Sequence, residues 1–340
     1  MSNSLKDSIE RSVEEVRGGE ILIFGDLHLS STFEGSHKEY IEECFSNIYR
    51  IVDIAKVQKP SCIIFLGDII GVRERVLKER RFLKEVIRFF QILNSITNRN
   101  VYSVKGNHDI GDFTDFDLLL GLGLLKNPKY IDYIGEDSLE VRFHIVNYGE
   151  EKKTLSLASG GSNVVLAHAD IQIPGVTTWY YSKNGHILSS MKNWSGVDLV
   201  IAGHIHTPST EISYTTLDGA SVGLFYPGSP SRVAERFDDC WYLSFKYSKE
   251  EKTTNYDAKL FGLVKASEVF YPKEEKEEVD DDIAIEEERR ESLKKILKEV
   301  MEERLMTGNI VNQIDLIPNA SPKAKSLAKD YLQRAIDGKF

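Results

Sequence analysis

Ile21-Leu22-Ile23-Phe24-Gly25-Asp26-Leu27-His28 is the stretch whose reading decides the fold. Its first four residues are uninterruptedly apolar, the pattern of a strand covered on both faces, and such strands belong to sheets clothed by helices. A carboxylate and an imidazole follow at once, where the chain leaves the strand. The arrangement then recurs. Cys62-Ile63-Ile64-Phe65-Leu66 runs into Gly67-Asp68, and Asn100-Val101-Tyr102-Ser103-Val104 leads to Gly106-Asn107-His108-Asp109. Two later apolar segments end on His168 and on Gly203-His204-Ile205-His206.

Between these strands lie helical patterns. Ile41, Cys44, Phe45, Ile48, Ile51, Val52 and Ala55 recur at helical spacing between His37 and Lys56, and a second such pattern covers roughly 74–94. Alternating strand and helix gives a sheet with crossover helices, hence an α/β fold. After 125 short β-type segments dominate (129–134, 139–148, 153–158, 163–167, 198–202, 210–216, 221–226, 240–247 and 253–262), which predicts a second sheet packed on the first. Residues 1–18 read as an amphipathic helix stopped by Gly18-Gly19, and 19–270 as the main domain. Residues 271–290, with the acidic run Lys273 to Asp282, read as a solvated linker. In 291–340, Leu293, Ile296, Leu297, Val300, Met301 and Leu305 form one apolar stripe. Ala324, Leu327, Ala328, Tyr331, Leu332, Ala335 and Ile336 form another, opened by Ser321-Pro322.

The chain of 340 residues is 41% hydrophobic and carries a net charge of −10, which gives no global sign of a nucleic-acid binder, although a local basic groove can sit on an acidic protein. Three scattered cysteines, Cys44, Cys62 and Cys240, have neither redox nor metal spacing and read as core filler in a reducing compartment. No apolar run reaches the ~18–20 residues of a membrane span, so the expected location is cytoplasmic.

Five of the eight histidines fall at the five strand ends. One such histidine is ordinarily a satisfied core residue; five motifs in the same structural context are a site. Loops at the carboxyl ends of α/β strands converge on one crevice. Carboxylate, imidazole and amide oxygen together suit Mn2+, Fe2+, Zn2+ or Mg2+. Asp-x-His and His-x-His each put two donors on one side of an emerging chain. A carboxylate between the two sets can bridge two cations ~3.5–4 Å apart, a pair that clamps a phosphate and activates water.

These motifs resemble those of the calcineurin-like metallophosphoesterases over roughly residues 20–235. The resemblance implies a four-layer sandwich of two mixed sheets flanked by helices. It implies one metal on Asp26, His28 and His206, a second on Asn107, His168 and His204, and Asp68 bridging them. His108 would not be a ligand but would assist the leaving oxygen while a metal-bridging hydroxide attacks. Many members continue the second motif as Gly-Asp-x-x-Asp, the last Asp orienting the histidine; here that position is Gly71, and Asp109 or Glu74 are the available substitutes.

Within the family, Gly203-His-Ile-His-Thr-Pro208 and Phe225-Tyr-Pro-Gly-Ser-Pro-Ser-Arg232 resemble the SbcD-type DNA-repair nucleases. That implies a Mn2+-dependent DNA exonuclease and endonuclease, with an SMC-like coiled-coil ATPase as partner on the helices of 291–340 and a homodimer as a further option. Docking of those helices back on the catalytic domain is the alternative. The Pro-Gly-Ser turn with Arg232 or Arg236 would face a phosphate, as would Arg73, the first of the basic residues Arg73, Arg75, Lys78, Arg80, Arg81, Lys84 and Arg88. These basic residues equally suit a salt-bridged helix face with Glu74, Glu79 and Glu85. Trp179-Tyr180-Tyr181 read as core, with base stacking as the functional alternative. The competing activity is hydrolysis of a small phosphodiester or a phosphoprotein.

Overall fold

Alternation within the Ile21 run decides the layering. Leu22 and Phe24 point into one core with the helices, whereas Ile21 and Ile23 point into a second core between two sheets. All four are fully buried, each contributing roughly 1.5–3 kcal/mol by leaving water. The computed structural model describes residues 13–29, 39–71, 80–111, 114–175, 185–209, 211–230, 240–248 and 253–261.

In chain order the strands are β1 (Val13–Arg17), β2 (Glu20–Phe24), β3 (Cys62–Phe65), β4 (Val101–Ser103), β5 (Tyr130–Ile134), β6 (Leu139–Val146) and β7 (Ser162–His168). They continue as β8 (Ile171–Gln172), β9 (His186–Ile187), β10 (Leu199–Gly203), β11 (Ser213–Leu217), β12 (Ala220–Phe225), β13 (Trp241–Ser248) and β14 (Thr253–Leu260). The helices are α1 (Glu39–Gln58), α2 (Arg80–Ile96) and α3 (Asp115–Gly121). One mixed sheet has the order β14-β13-β2-β3-β4 and the other β1-β5-β6-β7-β10-β12-β11; β8 and β9 form a separate pair. The expected two-sheet α/β sandwich is therefore present, with α1 and α2 on the free face of the five-stranded sheet. Phe45 of α1 stacks on Phe82 of α2 at 5.9 Å, and Phe90 meets Phe65 edge-on at 5.9 Å. Among the described residues, the outer face of the seven-stranded sheet is covered by Leu188, Met191 and Trp194 from two single-turn 3-10 segments and the residue between them.

Two expectations are corrected. Val13–Arg17, read as the end of a helix, is a strand pairing in parallel with Tyr130–Ile134. The pairing buries Val16 in the inter-sheet core, and Gly18 and Gly19 at φ 57° and 73° carry the chain from one sheet to the other. Tertiary pairing here overrides local propensity. Residues 153–158, read as a strand, have no regular structure, because Asn193 Nδ2 donates to the carbonyls of Glu151 (2.8 Å) and Lys153 (3.0 Å) in place of a strand partner. The three cysteines are buried and form no disulfide, as core filler should. No described helix is long and apolar enough to cross a membrane. The linker and appendage expected in 271–340 lie outside the described residues, as do Glu74, Glu79, Arg75, Lys78 and Trp179-Tyr180-Tyr181.

Candidate metal centre

β2, β3 and β4 are parallel neighbours in one sheet, and β7 and β10 are parallel neighbours in the other, with Gly203 level with His168. Their carboxyl ends meet. The backbone N–H of His204 donates to Asp26 Oδ2 at 2.6 Å, and His168 Nδ1 lies 2.9 Å from the Leu66 carbonyl. Each contact ties one sheet to the other at the site.

The seven expected ligands and His108 come together. His28 Nε2 faces His206 Nε2 at 2.8 Å, and Asp26 Oδ2 is 3.7 Å from the latter. Asp68 Oδ2 lies 3.4 Å from His28 Nε2, 3.3 Å from His168 Nε2 and 3.9 Å from His108 Nε2. Asn107 Oδ1 is 2.9 Å from His168 Nε2 and 3.0 Å from His204 Nδ1. Asp26, His28 and His206 offer donor atoms all within 4.8 Å of one another, and so do His28, Asp68 and His108.

The electrostatics follow from burial against charge. Burial pushes His28 down, and the neighbouring His206 adds to it. His204 is lowered for the same first reason, with His168 second. For His168 burial acts downward, but Asp26 and Asp68 more than reverse it and its pKa is raised. Burial pushes Asp68 up, yet contacts to His168, His28 and the His108 amide outweigh it and hold the carboxyl below its ordinary range. Asp109 is pushed up to about 7, first by burial and then by the Asp68 charge.

A cation pair fits this arrangement. Asp26 Oδ1 and His28 Nδ1 are buried without a hydrogen-bond partner, and the Nε2 atoms of His28 and His206 converge to 2.8 Å. Two carboxylates, four imidazoles and one amide oxygen make a donor set for divalent ions. His28 and His204, with lowered pKa values, present the neutral form that a metal requires, whereas His168, raised by Asp26 and Asp68, would release its proton on binding one.

The backbone is bent to this purpose. His28, Asp68 and His204 have φ of 43°, 43° and 81°, left-handed values that cost non-glycine residues about 1–3 kcal/mol each. The strain is held by packing with no space to spare: a Cβ on Gly203 would lie 2.1 Å from Asp26 Oδ1, and one on Gly106 2.1 Å from Asp68 Oδ1.

Two sequence expectations change here. Asp109 does not orient His108, because its carboxylate accepts from the backbone N–H of Gly106 at 2.9 Å and of Ile69. His108 Nδ1 has no hydrogen-bond partner; its backbone N–H, donating to Asp68 Oδ1 at 2.8 Å, fixes the residue instead. The Pro227-Gly228-Ser229 turn is a brace rather than an open phosphate cradle. Ser229 is buried and donates from Oγ to the Asp26 carbonyl at 2.7 Å, while Gly228 is packed against Gly25. Arg73, Arg232 and Arg236 lie outside the described residues. Of the basic stretch, Lys84 and Arg88 are exposed on α2, and Glu85 accepts a hydrogen bond from the Tyr49 hydroxyl of α1. The structure also adds Tyr148, whose ring lies 5.8 Å from that of His204 and 6.2 Å from that of His168; no motif in the sequence marks it.

A family model described as calcineurin-like phosphoesterase matches residues 19–208. Among solved structures the chain is similar to a dimetal phosphatase from Danio rerio, at 13% identity over 72% of this chain and 99% of that one, with a TM-score of 0.43. It is similar to Yfce, a phosphoesterase from E. coli, at 14% identity over 70% and 98%, with a TM-score of 0.34. A third is a 5′-nucleotidase candidate from Staphylococcus aureus, at 12% identity and a TM-score of 0.41 over 80% of this chain; the chain spans 58% of its length. Among curated proteins no match is found.

Proposed function

The chain belongs to the calcineurin-like phosphoesterase family, matched over more than half its length, and on that premise we propose that it is a metal-dependent phosphodiesterase that cleaves DNA, working with a coiled-coil ATPase. The observation that carries the hydrolase reading is Asp68 Oδ2, within 3.9 Å of histidine nitrogens from three different loops. Asp26, His28 and His206 would hold one cation, Asn107, His168 and His204 the other, and Asp68 both. When bound, a Mn2+ pair would polarise the phosphate and neutralise charge developing on it.

The chain's own residues supply the remainder. The Gly106 and Gly203 loops fix the two carboxylates, since neither loop leaves room for a side chain at the glycine. His108, its side chain about one-third exposed (34%), turns Nε2 towards Asp68 and the open side of the cluster. A proton carried at Nε2 is the one available to the departing oxygen. Surrounding burial keeps water from competing for these contacts.

DNA as substrate is supported by the resemblance of Gly203–Pro208 and Phe225–Arg232 to the nuclease motifs and by exposed Lys84 and Arg88 on α2. A small phosphodiester is a second reading, favoured by the burial of Ser229 behind Asp26, which removes the Pro-Gly-Ser turn from substrate contact. The test is purified protein with Mn2+ on linear duplex DNA, single-stranded DNA and cyclic nucleotides, beside an Asp68→Ala control. Cleavage of cyclic nucleotides with all DNA left intact would sink the DNA assignment. The ATPase partnership is tested by deleting 291–340, which should abolish co-purification while sparing metal binding.

A further inference from the structure

The cluster leaves one exposed aromatic ring on its rim. Tyr148 follows β6 and is 41% exposed, yet its ring is in contact range of two candidate ligands, tilted 47° to His204 and 69° to His168. Among the described residues its hydroxyl makes no hydrogen bond, so both the ring face and the phenol are available.

The position is rigid, unlike most exposed tyrosines. Its backbone N–H donates to the Lys105 carbonyl at 2.9 Å, and the Lys105 N–H donates back to Asn147 Oδ1 at 2.8 Å. Asn127 Nδ2 holds the same Asn147 oxygen at 2.9 Å, and Glu150 N–H closes the turn on the Asn147 carbonyl at 2.9 Å. Gly149, at φ 84°, lets the turn close. Lys105 directly precedes Gly106-Asn107-His108. Tyr148 is thus tied to the loop that carries Asn107 and His108, and it overhangs the His168 and His204 side of the cluster.

We infer that Tyr148 is a substrate-positioning platform for a planar ring, a nucleobase, attached beside the phosphate bound at the cluster. The inference rests on the phosphoesterase reading above and narrows its substrate class to nucleotide-bearing esters. Stacking on an aromatic side chain is sequence-tolerant, because every base has a π-face. A ring on a hydrogen-bonded backbone that also leans on the His168 and His204 rings has less freedom to lose on binding.

The experiment is calorimetric titration of the full chain, loaded with Mn2+, with thymidine 5′-phosphate and separately with inorganic phosphate, in wild type, Tyr148→Ala and Tyr148→Phe. Tyr148→Ala should weaken nucleotide binding by roughly tenfold. It should leave phosphate affinity and bound metal unchanged, and Tyr148→Phe should retain nucleotide binding. Three results would overturn the platform: wild type binding phosphate but no nucleotide more tightly, an equal loss of both probes in Tyr148→Ala, or loss of metal from that variant. Wild type that binds metal but no phosphate would instead overturn the phosphoesterase reading on which the platform stands.

Discussion

Asp26 Oδ2 accepts a 2.6 Å hydrogen bond from the backbone N–H of His204, a residue 178 positions away. The last motif therefore aims the carboxylate of the first, and it does so from a residue whose own φ is 81°.

Asp26→Asn keeps an oxygen for that contact and removes the charge. Metal affinity should fall by at least roughly 10- to 100-fold, as it does when ligands or their partners are disturbed. The metal-free protein should unfold at a lower temperature than wild type, because Asp26 Oδ1 lies 3.6 Å from buried His168 Nδ1 and its charge supports that ring's raised pKa. Metal content after dialysis and thermal unfolding in chelator check the two halves.

His108→Ala separates two roles. The residue stands with His28 and Asp68 as a group able to hold a cation, while its partial exposure suits a proton donor. The expected outcome is a kcat lower by roughly 10²–10⁴-fold with unchanged metal stoichiometry. A variant with one ion fewer per chain would make His108 a ligand.

Ser229→Ala tests the brace. Loss of the bond to the Asp26 carbonyl should cost about 0.5–1.5 kcal/mol in urea unfolding. KM for a phosphoester should stay constant; a raised KM with unaltered stability would return the turn to the substrate side.

His144 supplies a pH dependence remote from the cluster. Burial lowers its pKa below 6.5, partly opposed by its contact with Asn163, so the fold favours the neutral ring. Below 6.5 the unfolded chain binds the extra proton, and stability present above that pH is lost as pH falls towards the folded value. In His144→Phe, whose neighbour Asn163 Oδ1 still accepts from the Ala158 N–H, the melting temperature should drop less between pH 7.5 and 5.5 than in wild type. Parallel slopes would contradict this.

The candidate ligands were readable because each motif interrupts an apolar run, and burial on both faces leaves such a strand no alternative reading. Helices α1 and α2 were readable from their apolar spacing for the same reason. What escaped depends on pairing or packing at a distance. Val13–Arg17 is a strand only because Tyr130–Ile134 lies beside it. Helix α3 is seven residues long and announces itself mainly through the Thr114–Asp117 capping box. The Pro-Gly-Ser turn looks like a ligand cradle in sequence, and only the packing of Gly228 on Gly25 shows it facing inward. Tyr148 belongs to no pattern; its place comes from the Lys105–Asn147 exchange.

Because three of the ligand-bearing loops leave one sheet and two leave the other, the centre has a birth order. A chain emerging from the ribosome exposes Asp26, His28, Asp68 and Asn107 long before β7 and β10 exist. Until Gly203 and His204 arrive, Asp26 lacks the amide that aims it, and an early cation would meet only part of its cage. A cation held by all seven donors would therefore have to await the docking of the two sheets, and its presence would report a finished sandwich.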